Sequence, residues 1–286
     1  MAGLTRLGLA AVLGVAWAAA AAAQQIDTLD KVRDSGAIVL GYREDAVPFS
    51  FADETGVPAG YSVDLCNRIA AAVGDSLGLD DLAIEYVPVQ ADTRFTVLED
   101  GGIDLLCGAT TVTMDRRARI DFTLLTFATG TGVLSRDDAG IERFEDLAGH
   151  RVGVLAGTTT TEVLERSLAG TGIEAEIVTL DSHDAGLAAL ETGEIDAYFG
   201  DRVLLLGLGD RSEQREALVL SQGFLSYEPY ALALRRGDDE FRLIADRTLA
   251  RLYRSGEIVA IYRQWFGTLP PSDLLRALFV LHAFPE

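Results

Sequence analysis

Short apolar segments alternate with amphipathic segments along most of the chain, and this alternation limits the possible folds more than any other feature. The segments "AIVLGY" (37–42) and "IDLLCG" (103–108) have the length and composition of strands. In "DLCNRIAAAVGDSL" (64–77) the apolar residues instead recur at helical spacing. Strands that alternate with helices are typical of βα units around mainly parallel sheets, so we predict an α/β fold.

The same alternation begins again in the second half of the chain. The segments "RVGVLAG" (151–157), "AEIVTL" (175–180) and "IDAYFG" (195–200) predict strands, and a helical segment follows each of them. "YALALRR" (230–236) predicts one more strand before two final helices. Each half of the chain therefore has its own set of strands and helices.

The length of the chain favours two lobes over one core. Its 286 residues, 49% of them apolar, fall in the range of about 250–300 residues where single cores stop growing. We expect the chain to cross between lobes at residues 127–132 and 223–229. The predicted division is a signal peptide (1–23), a first lobe (24–128), a second lobe (129–226), a segment that returns to the first lobe (227–270) and a C-terminal tail (271–286).

The first 23 residues have the features of a cleaved export signal. Arg6 provides a basic start, residues 7–23 are uncharged, and small residues lie just before the polar Gln24. A membrane anchor is the alternative, but a span needs about 20 apolar residues and this run is shorter and rich in alanine. We expect cleavage after Ala23 and a periplasmic location.

The charge of the chain excludes several classes of partner. The formal net charge is −20, and loss of Arg6 leaves 23 basic and 44 acidic residues, a net charge of −21. So acidic a protein is repelled by nucleic acid and by anionic membrane surfaces. We therefore predict no nucleic-acid partner.

Cys66 and Cys107 are the only two cysteines. An exported protein reaches an oxidising compartment, where an even number of cysteines favours pairing. Two buried free thiols are the alternative, and we expect a disulfide.

The sequence contains none of the common catalytic motifs. G-x-S-x-G, H-E-x-x-H, C-x-x-C and P-loop strings are absent. Ser182, His183 and Asp184 are the residue types of a catalytic triad, but adjacent residues do not place their side chains in a relay. We therefore predict neither an enzyme nor a cofactor or metal ion.

Hydroxyl and guanidinium groups gather where predicted strands end. "CGATTVTMDRR" (107–117) brings Thr110 and Thr111 close to Arg116, and Thr158, Thr159 and Thr160 open a helix after the next lobe's first strand. In α/β sheets ligands bind beyond the carboxyl ends of strands, and a helix N-terminus favours a carboxylate or phosphate. Ordinary turn and cap threonines are the alternative.

Four further charged or titratable residues follow predicted strands in the same way. Arg43 follows 37–42, Arg94 begins a helix, His183 follows 175–180, and Asp201 follows 195–200. Each alone is more simply a surface residue or a helix cap. Their common position predicts that they converge on one cleft, with Asp201 as a partner for an ammonium group.

Several motifs in order resemble those of bacterial extracellular solute-binding proteins for polar amino acids, and within that family the glutamate/aspartate-binding proteins of ABC importers. The resemblance extends from about Leu29 to Phe266. The motifs that carry it are "DKVRDSGAIVLGYREDAVPFSF", "GYSVDLCNRIA", "CGATTVTMDRRARIDFT", "FEDLAGHRVGVLAGTTTTEVL" and "ARLYRSGEIVAIYRQWF". It implies a two-lobed periplasmic-binding-protein fold of type 2, the Venus-flytrap fold, with a hinge that closes on an amino acid.

The resemblance also implies roles for the residues named above. Arg116 and Thr111 match positions that bind the α-carboxylate of the ligand, together with the threonines at 158–160, and Asp201 matches the residue that receives the α-ammonium group. The positions that meet a side-chain carboxylate in the acidic branch match Arg43, Arg94 and His183. The implied partners are L-glutamate or L-aspartate and an inner-membrane permease with its ATPase, for a protein that acts as a monomer.

Two residues depart from the pattern of the acidic branch. Ala91 and Ala109 occupy positions where that branch usually carries serines, and "GTTTTE" holds one extra threonine. A few relatives of this fold are dehydratases that act on prephenate or arogenate, so an enzyme is the alternative. Such an enzyme needs a general acid in the cleft, for which Asp201 and His183 are the candidates.

Overall fold

The computed structural model describes residues 27–221 and 224–286. The predicted signal peptide and its cleavage site lie outside these residues. Among the helices of the described ranges, none has both the length and the hydropathy that a membrane crossing requires.

Strands and helices alternate through both halves of the chain, as predicted. The strands are β1 (Ala37–Tyr42), β2 (Asp45–Ala46), β3 (Ser50–Ala52), β4 (Pro58–Ala59), β5 (Ala83–Pro88), β6 (Leu105–Cys107), β7 (Ile120–Thr129), β8 (Thr131–Arg136), β9 (Arg151–Leu155), β10 (Glu176–Leu180), β11 (Ala197–Asp201), β12 (Leu218–Leu220) and β13 (Glu228–Arg235). The α-helices are α1 (Thr28–Ser35), α2 (Tyr61–Leu77), α3 (Arg94–Glu99), α4 (Met114–Arg117), α5 (Thr159–Thr171), α6 (His183–Thr192), α7 (Arg202–Arg211), α8 (Asp239–Ser255), α9 (Glu257–Phe266) and α10 (Asp273–Leu281). Short 3-10 turns cover Asp137–Ala139, Phe144–Leu147 and Arg215–Ala217.

The first lobe is built on a five-stranded sheet in the order β5-β1-β6-β13-β7. The strands β5, β1 and β6 are parallel, and β13 runs antiparallel to both of its neighbours, so four of the five strands point the same way. Apolar residues of β1 such as Ile38 and Leu40 pack with Leu65 and Ile69 of α2, because the spacing of each segment places them on one face.

The second lobe repeats this plan with different residues. Its sheet has the order β10-β9-β11-β8-β12, in which only β8 runs against the other four strands. Val152 and Val154 of β9, Leu164 of α5 and Phe199 of β11 lie in one buried cluster. Both lobes therefore fit the predicted two-lobed fold with mainly parallel sheets.

The chain passes between the two sheets at Gly130, between β7 and β8. A side chain at this position would lie 2.4 Å from the carbonyl oxygen of Ser226, so the two crossing segments approach closely only because residue 130 is glycine. Residues 127–132 were expected only as a crossing between lobes, with no strand assigned to them. The structure instead continues strands on both sides of Gly130, since the apolar run of β7 pairs with β13.

The C-terminal segment 271–286, expected only as a tail, contains the helix α10. In α10, Leu275, Leu278 and Phe279 are buried against the core of the first lobe. In the same lobe Cys66 of α2 and Cys107 of β6 form a disulfide, with Cα atoms 6.1 Å apart. This bond fixes α2 beside the residue that precedes Gly108 and the threonine-rich segment.

Candidate functional site

The two lobes face each other across a cleft that contains a pocket lined by residues of both lobes. The structure brings all ten predicted ligand-binding residues to its wall. These residues are Arg43, Arg94, Thr110, Thr111, Arg116, Thr158, Thr159, Thr160, His183 and Asp201. The wall is completed by four smaller or apolar side chains, Ala46, Ala109, Leu155 and Leu204.

The segment between β6 and α4 folds Arg116 back towards the pocket. Thr113 caps α4 by accepting a hydrogen bond from the backbone N–H of Arg116 at 3.1 Å. The Nη1 atom of Arg116 donates to the backbone oxygen of Thr111 at 2.8 Å. Burial lowers the pKa of Arg116, and the nearby acidic groups, Glu228 first among them, oppose that effect. Arg116 thus presents a guanidinium group with free donors in a poorly hydrated place.

The N-terminus of α5 forms the facing wall from the second lobe. The side chain of Thr158 does not cap this 13-residue helix, because its hydroxyl donates to the backbone oxygen of Leu155 at 2.7 Å. The hydroxyl of Thr160 donates to that of Thr158 at 3.0 Å. The first N–H groups of the helix and the positive end of its dipole are therefore available to an anion in the cleft.

Two further arginines of the pocket, Arg94 and Arg43, are buried. Arg94 has its Cζ atom 4.3 Å from the centre of the Phe95 ring, and its Nη1 is 3.4 Å from the backbone oxygen of Gly157 in the second lobe. Burial, with repulsion from Arg116 and Arg43, lowers the pKa of Arg94 to about 9. Three guanidinium groups thus share a small volume, which favours a bound anion.

Arg43 and His183 line the pocket from opposite lobes. Arg43 donates from Nη2 to Asp45 Oδ1 at 2.7 Å, and its Nε is buried without a hydrogen-bond partner. His183 Nδ1 lies 3.0 Å from the hydroxyl of Tyr198. Burial lowers the pKa of His183 to about 4, despite the nearby carboxylate of Asp45. The imidazole is therefore neutral at pH 7.

Asp201 supplies an acidic group to the wall of the pocket. It ends β11, and its side chain does not cap α7, so the role of a simple helix cap is excluded. Tyr230 donates a short hydrogen bond to Oδ2, whereas Oδ1 is buried without a hydrogen-bond partner. Burial, and then repulsion from Glu228, raises the pKa of Asp201 to about 7.

Glu228 joins hydroxyl groups of the two lobes beside the pocket. Its Oε2 atom accepts from Thr111 at 2.7 Å and from Thr159 at 3.1 Å, and its Oε1 accepts from Ser226 at 2.6 Å. This carboxylate therefore holds the hydroxyl hydrogens of Thr111 and Thr159 in the structure as it stands.

Four residues that contact pocket side chains were not predicted from the sequence: Asp45, Glu228, Tyr230 and Phe95. Tyr230 and Glu228 lie on β13. Tyr230 begins the strand predicted at 230–236 and Glu228 falls in the crossing expected at 223–229, and neither segment carries a motif of a site. Asp45 comes two residues after Arg43, so its proximity to a predicted residue was the one signal that pointed to it.

Metal ligands are not grouped at the pocket in the way that a metal centre requires. Within residues 27–221 and 224–286, no three His, Cys, Asp or Glu side chains lie where they could hold a metal ion. The fold and the pocket define a two-lobed α/β binding protein whose cleft presents both positive and negative groups to a small molecule.

Residues 38–268 match the family described as bacterial extracellular solute-binding proteins, family 3, and the chain belongs to that family. It is 34% identical over 249 residues to an L-glutamate/L-aspartate-binding protein of Pseudomonas aeruginosa, covering 86% of this chain and 82% of that one. It is 32% identical over 269 residues to a glutamate/aspartate import solute-binding protein of Escherichia coli, covering 94% of this chain and 89% of that one.

A solved structure shares the fold. The chain superposes with a TM-score of 0.73 on an ancestral amino acid-binding protein that is a precursor of cyclohexadienyl dehydratase. The two are 26% identical, and the match covers 84% of this chain and 100% of that one. The fold is therefore that of type 2 periplasmic binding proteins, as the resemblance implied.

Proposed function

We propose that this protein is the periplasmic substrate-binding component of an amino acid ABC importer and that its ligand is L-glutamate or L-aspartate. The named relatives bind or import these two amino acids. The lobes close on the ligand about the crossings near Gly130 and residues 224–229, and the closed form delivers it to the permease and its ATPase.

The observation that carries the proposal is the charge pattern of one buried pocket. The guanidinium groups of Arg43, Arg94 and Arg116 line it together with the carboxyl group of Asp201. A dicarboxylic amino acid has two anionic groups that flank an ammonium group. Its groups therefore match the kinds of charge in the pocket, where three guanidinium groups can pair with the two carboxylates and one carboxyl group with the ammonium.

The α-carboxylate binds between the lobes, at Arg116 and the α5 N-terminus. A guanidinium group matches a carboxylate in bidentate geometry, and the helix supplies free N–H donors. Thr111 and Thr159 donate to Glu228 in the structure. We propose that these hydroxyls turn from Glu228 to the ligand when it binds.

The ammonium group binds at Asp201, whose free Oδ1 atom accepts a hydrogen bond from it. The side-chain carboxylate binds at Arg43, Arg94 and His183, where the buried Nε of Arg43 has a donor to offer. A buried polar atom without a partner costs about 1–3 kcal/mol. The pocket contains two such atoms of opposite charge character, Arg43 Nε and Asp201 Oδ1, and the ligand gives each of them a partner.

Long-range repulsion between an acidic protein and an anionic ligand does not prevent this recognition. Salt screens charges in solution beyond about 8–10 Å, while the arginines act at contact distance in a poorly hydrated pocket.

Competition calorimetry tests the choice of ligand. Wild-type protein is expected to bind glutamate or aspartate more tightly than glutamine and asparagine, since an amide leaves a guanidinium unpaired, and such discrimination reaches about 10⁴-fold. Arg43→Met and Arg94→Met should each reduce the acid-to-amide ratio, whereas Arg117→Met, which removes an exposed arginine, should not. Equal binding of glutamine and glutamate by wild type, or an unchanged ratio in both pocket variants, would contradict the assignment.

A dehydratase-like activity is the second candidate. Its support is the raised pKa of Asp201, about 7, which suits a general acid at neutral pH. Incubation of the protein with prephenate and with arogenate separates the two functions, because a transport protein binds its ligand without turnover.

A further inference from the structure

Asp45 is a buried carboxylate that contacts the pocket from behind. It lies in β2 of the first lobe, and only 6% of the residue is exposed. Its Oδ1 atom accepts from Arg43 Nη2 at 2.7 Å, and its Oδ2 accepts from the backbone N–H of His183 at 2.6 Å. Each oxygen of this carboxylate thus has its own donor.

The bond to His183 crosses from one lobe to the other. His183 is the first residue of the ten-residue helix α6, so its N–H has no carbonyl partner within the helix. Ser182 caps the same helix but accepts from Ala185, not from His183. Asp45 therefore completes the cap of a helix in the second lobe, and its negative charge is favourable at the positive end of that helix.

The two partners of Asp45 are themselves pocket residues. Arg43 lines the pocket from the first lobe, and His183 lines it from the second. Tyr198 fixes the imidazole ring at Nδ1, so the position of the α6 N-terminus determines where the ring lies. A single carboxylate thus sets the guanidinium and the imidazole relative to each other.

Separation of the lobes breaks only one of the two bonds. The bond to Arg43 is local to the first lobe, whereas the bond to His183 exists only while the cleft is closed. Burial opposes ionisation of Asp45, but His183 and Arg43 outweigh burial and hold its pKa below the ordinary value. The carboxylate is therefore charged at neutral pH, where a charged hydrogen bond is strong.

We propose that Asp45 is a positioning residue, an interlobe clasp that caps α6 from the opposite lobe. On closure it brings the pocket side chains of Arg43 and His183 together. It deepens the proposed function, on which its effect on ligand affinity rests. Its effect on closure is independent of which ligand binds.

Amide hydrogen exchange at His183, measured with and without saturating L-glutamate, reports the clasp directly, because the bond exists only while the cleft is closed. Because Asp45 is the acceptor for this N–H, its protection from exchange depends on the carboxylate. Asparagine has one oxygen and one amino group in place of two acceptors, so Asp45→Asn sets a donor against Arg43 or against the His183 N–H. We expect exchange at His183 to accelerate by about tenfold or more, since a hydrogen bond to a charged group changes an equilibrium by about 10- to 100-fold.

Glu44→Gln is the matched control, because it removes one negative charge from the exposed neighbouring residue. It should leave exchange at His183 unchanged, and the amide of Ile38 in the core should exchange at the wild-type rate in both variants. If the Ile38 amide shows that Asp45→Asn has lost its fold, Asp45→Ser serves as the second variant. Equal exchange at His183 in wild type and in a folded Asp45 variant overturns the proposal.

Calorimetry with the acidic ligand tests the second part. Asp45→Asn should weaken binding about tenfold or more, and it should still weaken binding in the Arg43→Met background, because the clasp to His183 remains to be lost. If Asp45→Asn has no effect in that background, Asp45 acts only through Arg43 and the clasp is refuted. Failure of any amino acid to bind wild-type protein would refute the proposed function while the exchange result still decides the clasp.

Discussion

Replacement of Asp201 by asparagine tests the free-energy cost of a buried, ionised carboxylate in the pocket. Burial raises the pKa of this carboxyl from 3.8 to about 7, and repulsion from Glu228 adds to the effect, while the hydrogen bond from Tyr230 opposes it. One pH unit corresponds to about 1.36 kcal/mol, so keeping Asp201 ionised in the folded protein costs about 4 kcal/mol.

Asparagine has no charge and therefore avoids this cost. Its oxygen still accepts from Tyr230, but its amino group takes the place of the unpartnered Oδ1, and an unsatisfied buried donor costs about 1–3 kcal/mol. We expect Asp201→Asn to raise the free energy of unfolding of the ligand-free protein by about 1–3 kcal/mol at pH 8. The same change should weaken binding of the amino acid at least about 30-fold, since removal of one partner of a buried charge pair costs about 2–5 kcal/mol.

The sign of the pH dependence distinguishes this explanation from a general effect on packing. Because the folded-state pKa of Asp201 is raised, its protonated form stabilises the wild-type protein below pH 4, and that contribution is lost as the pH rises through about 7. The advantage of the variant should therefore be small at pH 4 and complete by pH 8.

Urea unfolding of the ligand-free proteins at pH 4, 6 and 8, with calorimetry at pH 8, measures both effects. Asp181→Asn is the control, since it removes an exposed carboxylate of the same lobe. A variant that binds the ligand like wild type would refute this role of the Asp201 carboxylate. So would a difference in stability that does not grow between pH 4 and pH 8.

Four further predictions concern the same molecule. The affinity of wild-type protein should fall about tenfold between pH 8 and pH 6, because the ammonium group binds ionised Asp201. Binding near pH 7 should therefore release protons, which calorimetry in buffers of different ionisation enthalpy measures. A pH-independent affinity would contradict this prediction. Arg116→Ala should nearly abolish binding of every amino acid, at a cost of about 2–5 kcal/mol, because all share the α-carboxylate, and an unchanged Kd in the folded variant would exclude that role. Thiol labelling of denatured, unreduced protein from the periplasm should find no free thiol at Cys66 or Cys107, and two free thiols would show that the disulfide does not form in the cell. Mass spectrometry of the secreted protein should find an N-terminus at or near Gln24, and an intact or lipidated N-terminus would contradict the export signal.

The elements of the fold and much of the pocket could be predicted from the sequence. Alternating apolar and amphipathic segments predicted most strands and helices, because the burial of one face leaves a periodic trace in a local segment. Residues such as Arg43, Thr158 and Asp201 were predictable for a related reason. They follow strand ends, and the carboxyl ends of strands that point the same way lie at one edge of a sheet.

The groups that meet across the cleft could not be predicted, because their contacts form between segments far apart in the chain. Asp45 and His183 are 138 positions apart, and Thr111 and Glu228 are 117 positions apart. No local periodicity reports such a contact, because it depends on the order of strands in two sheets and on how closely the lobes approach. The pKa of Asp201 is decided in the same way, since it follows from burial and from Glu228, which another strand brings beside it.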